Sequence, residues 1–317
     1  MANRKNSSGG LSPATRITLE IITRLEAGTK PWIQPWRGVP VSRPLRACGI
    51  PYRGMNVFWL WMVADMCGYA SPYWMTYNQV KCLGAQVRKG EKSTIAIFYN
   101  SYTKEVEAQG TGEKSDEAHR VLKAYPVFNA DQVDGLAERY HPAASLDLVK
   151  QAKEPGGREA ELDAFFGAIP AMLRHQGGEA YYEPAADRIT MPPAHLFAGF
   201  DHYYATLAHE LSHWTGHPSR LARDLKNRFG TAAYAAEELI AELSSAMLGS
   251  ELGLPVTHLD SHASYIEHWL KLLRQDDRAI LTAAAKAEEA ASLLLKLGGR
   301  VIADDGVSEP DDAALAA

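Results

Sequence analysis

The chain has 317 residues, of which 46% are hydrophobic, and its formal net charge at pH 7 is −5. This length predicts about two domains with sizeable cores. The chain has no run of about 18 apolar residues, and its polar first ten residues lack an apolar signal core, so we expect a cytoplasmic protein with no membrane partner. Its three cysteines, without CxxC spacing, exclude a disulfide framework and a zinc knuckle.

Residues 1–135 are predicted to form a mixed α/β domain. Its first helix, Pro13–Ala27, begins after Ser12, whose hydroxyl can cap a helix N-terminus, and ends at Gly28. A proline-rich loop over residues 31–51 follows. The remaining predicted elements are helices at Val57–Cys67 and Thr76–Leu83 and strands at Ser93–Tyr102 and Val121–Phe128, with a polar loop or hairpin tip at Lys104–Arg120.

Charge is distributed unevenly along the chain. Residues 1–100 hold 13 Lys/Arg against 4 Asp/Glu, a net charge of +9, whereas residues 101–317 hold 20 against 34, a net charge of −14. This asymmetry indicates that a basic module, which would bind an anionic partner, is joined to an acidic module. The alternative is a solvated basic surface without a ligand.

Aromatic residues interleaved with the basic ones favour single-stranded DNA as the anionic partner. Cations follow the phosphates of such a strand, and ring faces stack on its unpaired bases at roughly 1–3 kcal/mol per base. No basic recognition helix, which duplex reading would favour, is apparent. The predicted contacts, with the four aromatic side chains expected to be exposed, are Trp32, Trp36, Arg43, Arg46, Tyr52, Arg53, Trp74, Lys89 and Lys92.

Residues 136–157 are predicted to be a connector, residues 158–298 a mainly helical domain with a small sheet, and residues 299–317 an acidic, disordered tail. The fold class is therefore α+β. A hairpin of Ala180–Glu183 and Arg188–Met191 is expected, with the second strand at the sheet edge, where an extended peptide could pair. Helices are predicted at Arg158–Gln176, within Asp201–His217, and at Ala232–Leu252, His258–Gln275 and Asp276–Leu297.

A metal-binding motif lies in the segment Asp201–His217. It reads His209-Glu210-Leu211-Ser212-His213, and one helical turn would place both imidazoles on one face with Glu210 beside them. This arrangement can hold Zn²⁺ and direct Glu210, as a general base, at a water molecule. Other divalent metals such as Mn²⁺ suit the same donors.

A catalytic zinc usually takes three protein ligands, so a third donor is needed. Glu238 and Glu242 are four residues apart on the next predicted helix and share a face. We assign Glu238 as the third ligand and Glu242 as the acceptor of a histidine N–H, which would fix the imidazole tautomer. The reverse assignment stays open. A solvated acidic helix face is the ordinary alternative.

His217 lies four residues after His213 and offers a rival ligand set. It stands between Gly216 and Pro218, where the helix should have ended, and we therefore interpret it as a cap or surface histidine. The metzincin pattern would need a histidine where this chain has Ser219, which excludes that class.

Several segments resemble one known family. The motifs Trp32–Trp36 (WIQPW), Tyr52–Asn56 (YRGMN), Trp74–Gln79 (WMTYNQ), Val87–Lys92 (VRKGEK) and Val127–Asn129 (VFN) resemble the N-terminal domain of ArdC-type antirestriction proteins, which is shared with TraC-type plasmid primases. His209–Leu221 (HELSHWTGHPSRL) and Tyr234–Glu242 (YAAEELIAE) resemble the zincin-like domain of the same proteins. The resemblance covers nearly the whole chain in the same order.

This resemblance implies a single-stranded-DNA-binding domain joined to a zinc metalloprotease-like domain. Such proteins are carried by mobile elements such as conjugative plasmids and protect incoming DNA from host restriction. One hypothesis is a peptidase that cleaves an unidentified protein, for example part of a restriction system, with Glu210 as catalytic base and Tyr203, Tyr204 or Tyr234 as an electrophilic helper. The second is a non-catalytic protector of single strands whose zinc domain is structural, and a third, weaker one is a mimic of duplex DNA.

Overall fold

The computed structural model describes residues 11–30, 32, 42–107, 114–141, 157–223, 231–254 and 263–300. Most of the predicted connector and of the predicted acidic tail lie outside these ranges. The helices are α1 (Pro13–Glu26), α2 (Met55–Cys67), α3 (Tyr77–Cys82), α4 (Gly157–Gly167), α5 (Phe200–Trp214), α6 (Ala232–Leu252), α7 (Ala263–Gln275) and α8 (Ala279–Leu297). None of the helices within the described ranges is long and apolar enough to cross a membrane.

The described residues of the first half form three α-helices and two small sheets, as the mixed α/β prediction requires. Its strands are β1 (Leu45–Arg46), β2 (Tyr73–Met75), β3 (Gln86–Val87), β4 (Thr94–Glu107), β5 (Lys114–Asn129) and β6 (Val133–Asp134). One sheet has the order β1-β2-β5-β4, in which β4 and β5 form a long antiparallel hairpin, and β3 pairs with β6. This hairpin continues further into the predicted polar loop than the sequence indicated.

Local capping explains where the helices of this half begin and end. The hydroxyl of Ser12 accepts the N–H of Thr15 at the start of α1, and Thr76 with Gln79 forms a capping box at α3. Gly28 follows α1 with a φ of 76°, which glycine adopts without a steric penalty. The predicted boundaries of these helices are confirmed to within two residues.

The second half contains a three-stranded sheet of β7 (Met172–His175), β8 (Tyr181–Glu183) and β9 (Arg188–Met191) in the order β7-β9-β8. The predicted hairpin of β8 and β9 is confirmed, but β9 is the central strand, so its expected edge position is wrong. The predicted helix over Arg158–Gln176 is also wrong beyond Gly167, because Pro170 cannot continue a helix and β7 follows.

Apolar packing joins the two halves of the chain. One core contains residues from α1, α2 and β4 together with residues from α6, α7 and α8, for example Ile21, Trp59 and Ala96 with Leu239, Trp269 and Ala284. A second core lies between α4, the β7-β9-β8 sheet and one face of α5, and it includes Leu207 and Leu211 of α5 with Ile189 and Met191 of β9. The helix with the metal motif therefore rests on a sheet, and α6 lies between the two cores.

Candidate metal centre

The metal motif is carried by α5, whose buried face positions it. Leu207, Leu211 and Trp214 pack into the second core, which turns the opposite face of α5 toward α6. Near the start of α5 Asp201 binds Arg158, which also donates to the carbonyl of Gly253 at the end of α6. The two helices therefore run antiparallel to each other.

α6 presents three glutamates to this site from an almost wholly buried helix. It begins at Thr231, whose hydroxyl accepts the N–H of Tyr234, and ends at Gly253 with a φ of 65°. Small residues, including Ala241 and Ser244, face its neighbours and allow close packing. Glu237, Glu238 and Glu242 are each buried, at 8%, 9% and 5% exposure, so each needs a charged or polar partner.

The structure brings His209, His213 and Glu238 together. One ligand atom from each lies within 4.8 Å of the others. The Nε2 atoms of His209 and His213 lie 3.7 and 3.5 Å from the two carboxylate oxygens of Glu238. Tetrahedral zinc bonds of about 2.0–2.1 Å need donor atoms about 3.3 Å apart, so small side-chain adjustments suffice.

The chemistry of this donor set fits a divalent metal. Two imidazole nitrogens and a carboxylate oxygen suit Zn²⁺ and also Mn²⁺. Burial acts to raise the pKa of Glu238, but the hydrogen bond and the charges of the two histidines outweigh it and lower that pKa to about 2. The carboxylate is thus ionised and ready to act as a ligand.

Glu237 supports the second histidine. Its Oε1 lies 3.2 Å from Nδ1 of His213, and Arg223 donates to both of its oxygens. Burial acts to lower the pKa of His213, but the hydrogen bond to Glu237 and the neighbouring carboxylates outweigh it and raise that pKa to about 9. The Nδ1–H bond leaves Nε2 to face Glu238, which is the orientation a metal ligand requires.

Glu242 does not take the place that the reverse ligand assignment gave it. Its Oε1 forms a buried ion pair of 2.9 Å with Nζ of Lys30, and it is not part of the ligand cluster. The carboxylate within hydrogen-bonding distance of Nδ1 of His213 is Glu237, on the same helix, so the predicted acceptor role of Glu242 stays a prediction for His209 alone. Adjacent glutamates in one helix point in different directions, and the sequence did not show which one would meet His213.

Glu210 is 7% exposed and lies on α5 between the two histidines. Tyr234 is one turn before Glu238 and its hydroxyl hydrogen-bonds to that carboxylate, while lying 3.2 Å from the hydroxyl of Tyr265 on α7. The hydroxyls of Tyr203 and Tyr204 bind elsewhere, to His175 and Asp163. Of the three tyrosines considered from the sequence, Tyr234 is therefore beside the ligand cluster, and Tyr265 is a residue that sequence reasoning missed.

His217 lies outside the ligand cluster. Its Nδ1 is 2.7 Å from the hydroxyl of Ser219 and also accepts the N–H of that residue. It thus stabilises the turn that follows α5, as expected for a histidine at a helix end.

The expected exposure of the aromatic DNA-binding candidates is wrong where the structure describes them. Trp32, Tyr52 and Trp74 are only 1–2% exposed and belong to the first apolar core, because each buries a large ring. Trp36 lies outside the described residues.

The basic candidates fall into two groups. Arg43 is buried and pairs with Glu251 and Glu288, each at 2.7 Å, and buried Arg46 lies over the ring of Tyr52. Lys89, Lys92 and Arg53 are exposed. Only this second group is placed to meet a large anionic ligand.

Two family models match the chain. Residues 12–128 match the N-terminal domain of anti-restriction factor ArdC, and residues 160–286 match a zincin-like metallopeptidase. The chain is 40% identical over 282 residues to the uncharacterized protein y4eC of Sinorhizobium fredii, covering 87% of this chain and 89% of that protein. It is 39% identical over 299 residues to the DNA primase TraC of Escherichia coli, covering 88% of this chain but 27% of the primase.

Solved structures agree with these matches. The metal-free crystal structure of the antirestriction protein ArdC from plasmid R388 is 43% identical, with a TM-score of 0.76 and coverage of 91% of this chain and 98% of that one. The Mn(II)-bound structure of the same ArdC protein gives 42% identity and a TM-score of 0.74 over the same shares of the two chains. The chain therefore belongs to the family of ArdC antirestriction proteins, with an ArdC-type N-terminal domain and a zincin-like metallopeptidase domain.

Proposed function

We propose that this protein binds single-stranded DNA and is a metal-dependent peptidase that protects incoming DNA from restriction. The observation that supports the peptidase most is the buried cluster of His209, His213 and Glu238 beside Glu210. The Mn(II)-bound structure of the R388 ArdC protein supports the binding of a divalent metal by this chain. In the cell Zn²⁺ or Mn²⁺ would occupy this cluster, held by the two Nε2 atoms and the Glu238 carboxylate.

The residues of the site suit peptide hydrolysis. A bound divalent cation supplies Lewis acidity, which lowers the pKa of a water molecule and polarises a carbonyl. Glu210 takes the proton of the attacking water and passes it to the leaving amine. Tyr234 has one O–H, which donates to Glu238 in this structure. As an electrophilic helper it would turn that O–H from Glu238 to the substrate carbonyl oxygen, where negative charge develops.

Substitution of Glu210 by Gln tests this function. The amide has nearly the same shape but cannot accept the proton, so we expect peptidase activity and protection in a restricting host to fall by roughly 10²–10⁴-fold. Metal content and single-stranded DNA affinity should stay as in the wild type. Full protection by Glu210→Gln would overturn the hydrolytic function and leave a non-catalytic protector with a structural metal.

For DNA, we infer a surface formed by Tyr77, Lys81, Lys89 and Lys92. Nζ of Lys81 lies over the ring of Tyr77, which is 43% exposed and meets the half-buried Phe128 edge-on. The loop that contains Lys89 and Lys92 is hydrogen-bonded to the segment that follows Phe128. The side-chain amide of Gln132 donates to the backbone carbonyl of Lys92. Lys81 thus lies beside an exposed ring, and the exposed Lys89 and Lys92 follow on a loop bonded near the same strand end, which suits stacking and phosphate contacts with unpaired bases.

Reversing the charge of Lys89 and Lys92 to Glu tests this surface. We expect weaker binding of a single-stranded oligonucleotide and a salt dependence shallower by about 0.7 in log–log slope for each lost phosphate contact. Lys286→Glu is the control, because the side chain of that lysine is 44% exposed on α8 and pairs with Glu289. Equal affinities for the control and the double variant would contradict the assignment.

A further inference from the structure

Lys30 reaches the metal centre from the other half of the chain. The left-handed conformation of Gly28 reverses the chain after α1, and the N–H of Thr29 bonds back to the carbonyl of Arg24. Lys30 is thereby turned inward and is 4% exposed. Its ammonium lies 5.4 Å from the ring centroid of Trp269 and pairs with Glu242.

Helix geometry places Glu242 about one turn from Glu238, toward His209 on the neighbouring helix. α5 and α6 run antiparallel, and Glu237 on α6 meets His213 on α5. One turn earlier on α5 is His209, which therefore faces the next turn of α6, where Glu242 stands. Glu242 is also four residues after the ligand Glu238, on the same helix face.

Two buried polar atoms at this level have no hydrogen-bond partner. They are Nδ1 of His209 and Oε2 of Glu242, the oxygen that Lys30 does not hold. Leaving a buried donor or acceptor without a hydrogen bond is energetically unfavourable. The Nδ1–H of His209 is a donor and Oε2 of Glu242 is an acceptor, so a hydrogen bond between them would satisfy both. His213, in contrast, already has its Nδ1 partner in Glu237.

We propose that Lys30 is a positioning residue for the metal centre. By holding Oε1 of Glu242, it directs Oε2 to accept the Nδ1–H of His209, so that Nε2 of that imidazole faces the metal. Each metal-binding histidine then has its own carboxylate partner, and one of the two partners depends on a residue from the first half of the chain. This inference rests on the proposed metal site.

The test measures the zinc dissociation constant of the full chain by competition with a chelator, for Lys30→Met, Glu242→Leu and the double variant. Loss of a carboxylate partner of a metal-binding histidine typically weakens metal binding 10–100-fold, and we expect a weakening of at least about 10-fold for each single variant. Because Lys30 acts through Glu242, the double variant should bind zinc as Glu242→Leu does.

Arg43→Met is the matched control. Arg43 also forms buried ion pairs between the two halves, with Glu251 and Glu288, but away from the ligands. This variant should unfold at a lower temperature in its metal-free form and keep the wild-type zinc affinity. If it loses zinc affinity as Lys30→Met does, general destabilisation explains the effect and the proposal is overturned.

The other outcomes separate this inference from the function on which it rests. A wild-type chain that binds neither zinc nor manganese overturns both. If the wild type binds zinc and Lys30→Met binds it equally or more tightly, only the positioning role falls, because Lys30 would then act as a distant cation that opposes the metal.

A second measurement covers the case in which Lys30→Met does not fold. In the zinc-loaded wild type, the Nδ1 proton of His209 should give a strongly downfield NMR signal that exchanges slowly with water. Glu242→Leu should shift that signal upfield and speed its exchange. An identical signal in both proteins would overturn the proposal.

Discussion

The carboxylate of Glu238 is held from three sides. The two imidazoles contact its two oxygens, and the hydroxyl of Tyr234 donates a further hydrogen bond. Tyr234 is in turn in contact with Tyr265, whose ring stacks on Trp269. The orientation of Glu238 therefore depends on the aromatic residues Tyr265 and Trp269 of α7 as well as on its own helix.

Replacing Tyr234 by Phe should weaken zinc binding by about 10-fold, because the ligand carboxylate loses a hydrogen bond that orients it. Zinc affinity can be measured by chelator competition, with the thermal unfolding temperature as a check of folding.

Tyr204→Phe is the control for this change. Tyr204 is also on a helix of the site and also donates to a carboxylate, but that carboxylate is Asp163, outside the ligand cluster. It should change stability without changing zinc affinity. Equal zinc affinities in the wild type and Tyr234→Phe would show that the Tyr234 hydroxyl does not orient the ligand.

The members of the candidate ligand cluster could be predicted from the sequence to lie together, but most of their hydrogen-bond partners could not. His209, Glu210 and His213 lie within about one turn, and Glu238 lies four residues before Glu242 on the next predicted helix, so local periodicity suffices to place them. Lys30 and Tyr265 meet the same site from distant parts of the chain. Only the tertiary packing of α1, α6 and α7 brings them there, and a single sequence does not contain that information.

Among the elements, long periodic helices were predicted well. α6 begins and ends at the predicted residues because Gly253 gives a clear stop signal. The misassigned stretch after Gly167 had a signal of its own, Pro170, which should have ended that helix. The amphipathic pattern beyond it belongs to β7, whose short strand cannot be told from a helical segment by periodicity alone.

The aromatic segment was misjudged because burial is decided by tertiary structure. Rings spaced among basic residues are equally compatible with a stacking surface and with a core. Trp32 packs edge-to-face on Trp269 at 5.4 Å, and the core that buries it includes residues from α7 and α8. The ring of Trp32 is thus covered by a residue from the other end of the chain, which no local pattern in the first hundred residues could reveal.

The whole molecule shares one apolar core between its two family-matched regions. Ile21 and Trp59 from the first region pack in the same cluster as Leu239 and Trp269 from the second. Separating the regions would expose this surface on both sides. The predicted domain boundary therefore divides the sequence but not the core.

We expect fragments 1–135 and 158–300, expressed separately, to lack a cooperative urea transition, whereas the full chain should unfold in one. Circular dichroism at increasing urea concentration measures this, because a chain without a complete core loses cooperativity. Mixing the two fragments is the control and should restore part of the transition. A sharp transition in either fragment alone would show that its share of the core is sufficient.

The buried ion pairs between the two regions also constrain how such a gene can change. Lys30 with Glu242, and Arg43 with Glu251 and Glu288, place opposite charges on segments encoded far apart. A recombinant gene that takes its first part from one relative and its second from another would bury an unmatched charge unless both parents agree at these positions. The match to the TraC primase spans 88% of this chain, both regions included, within 27% of a longer protein. The two regions therefore occur together in that relative as well.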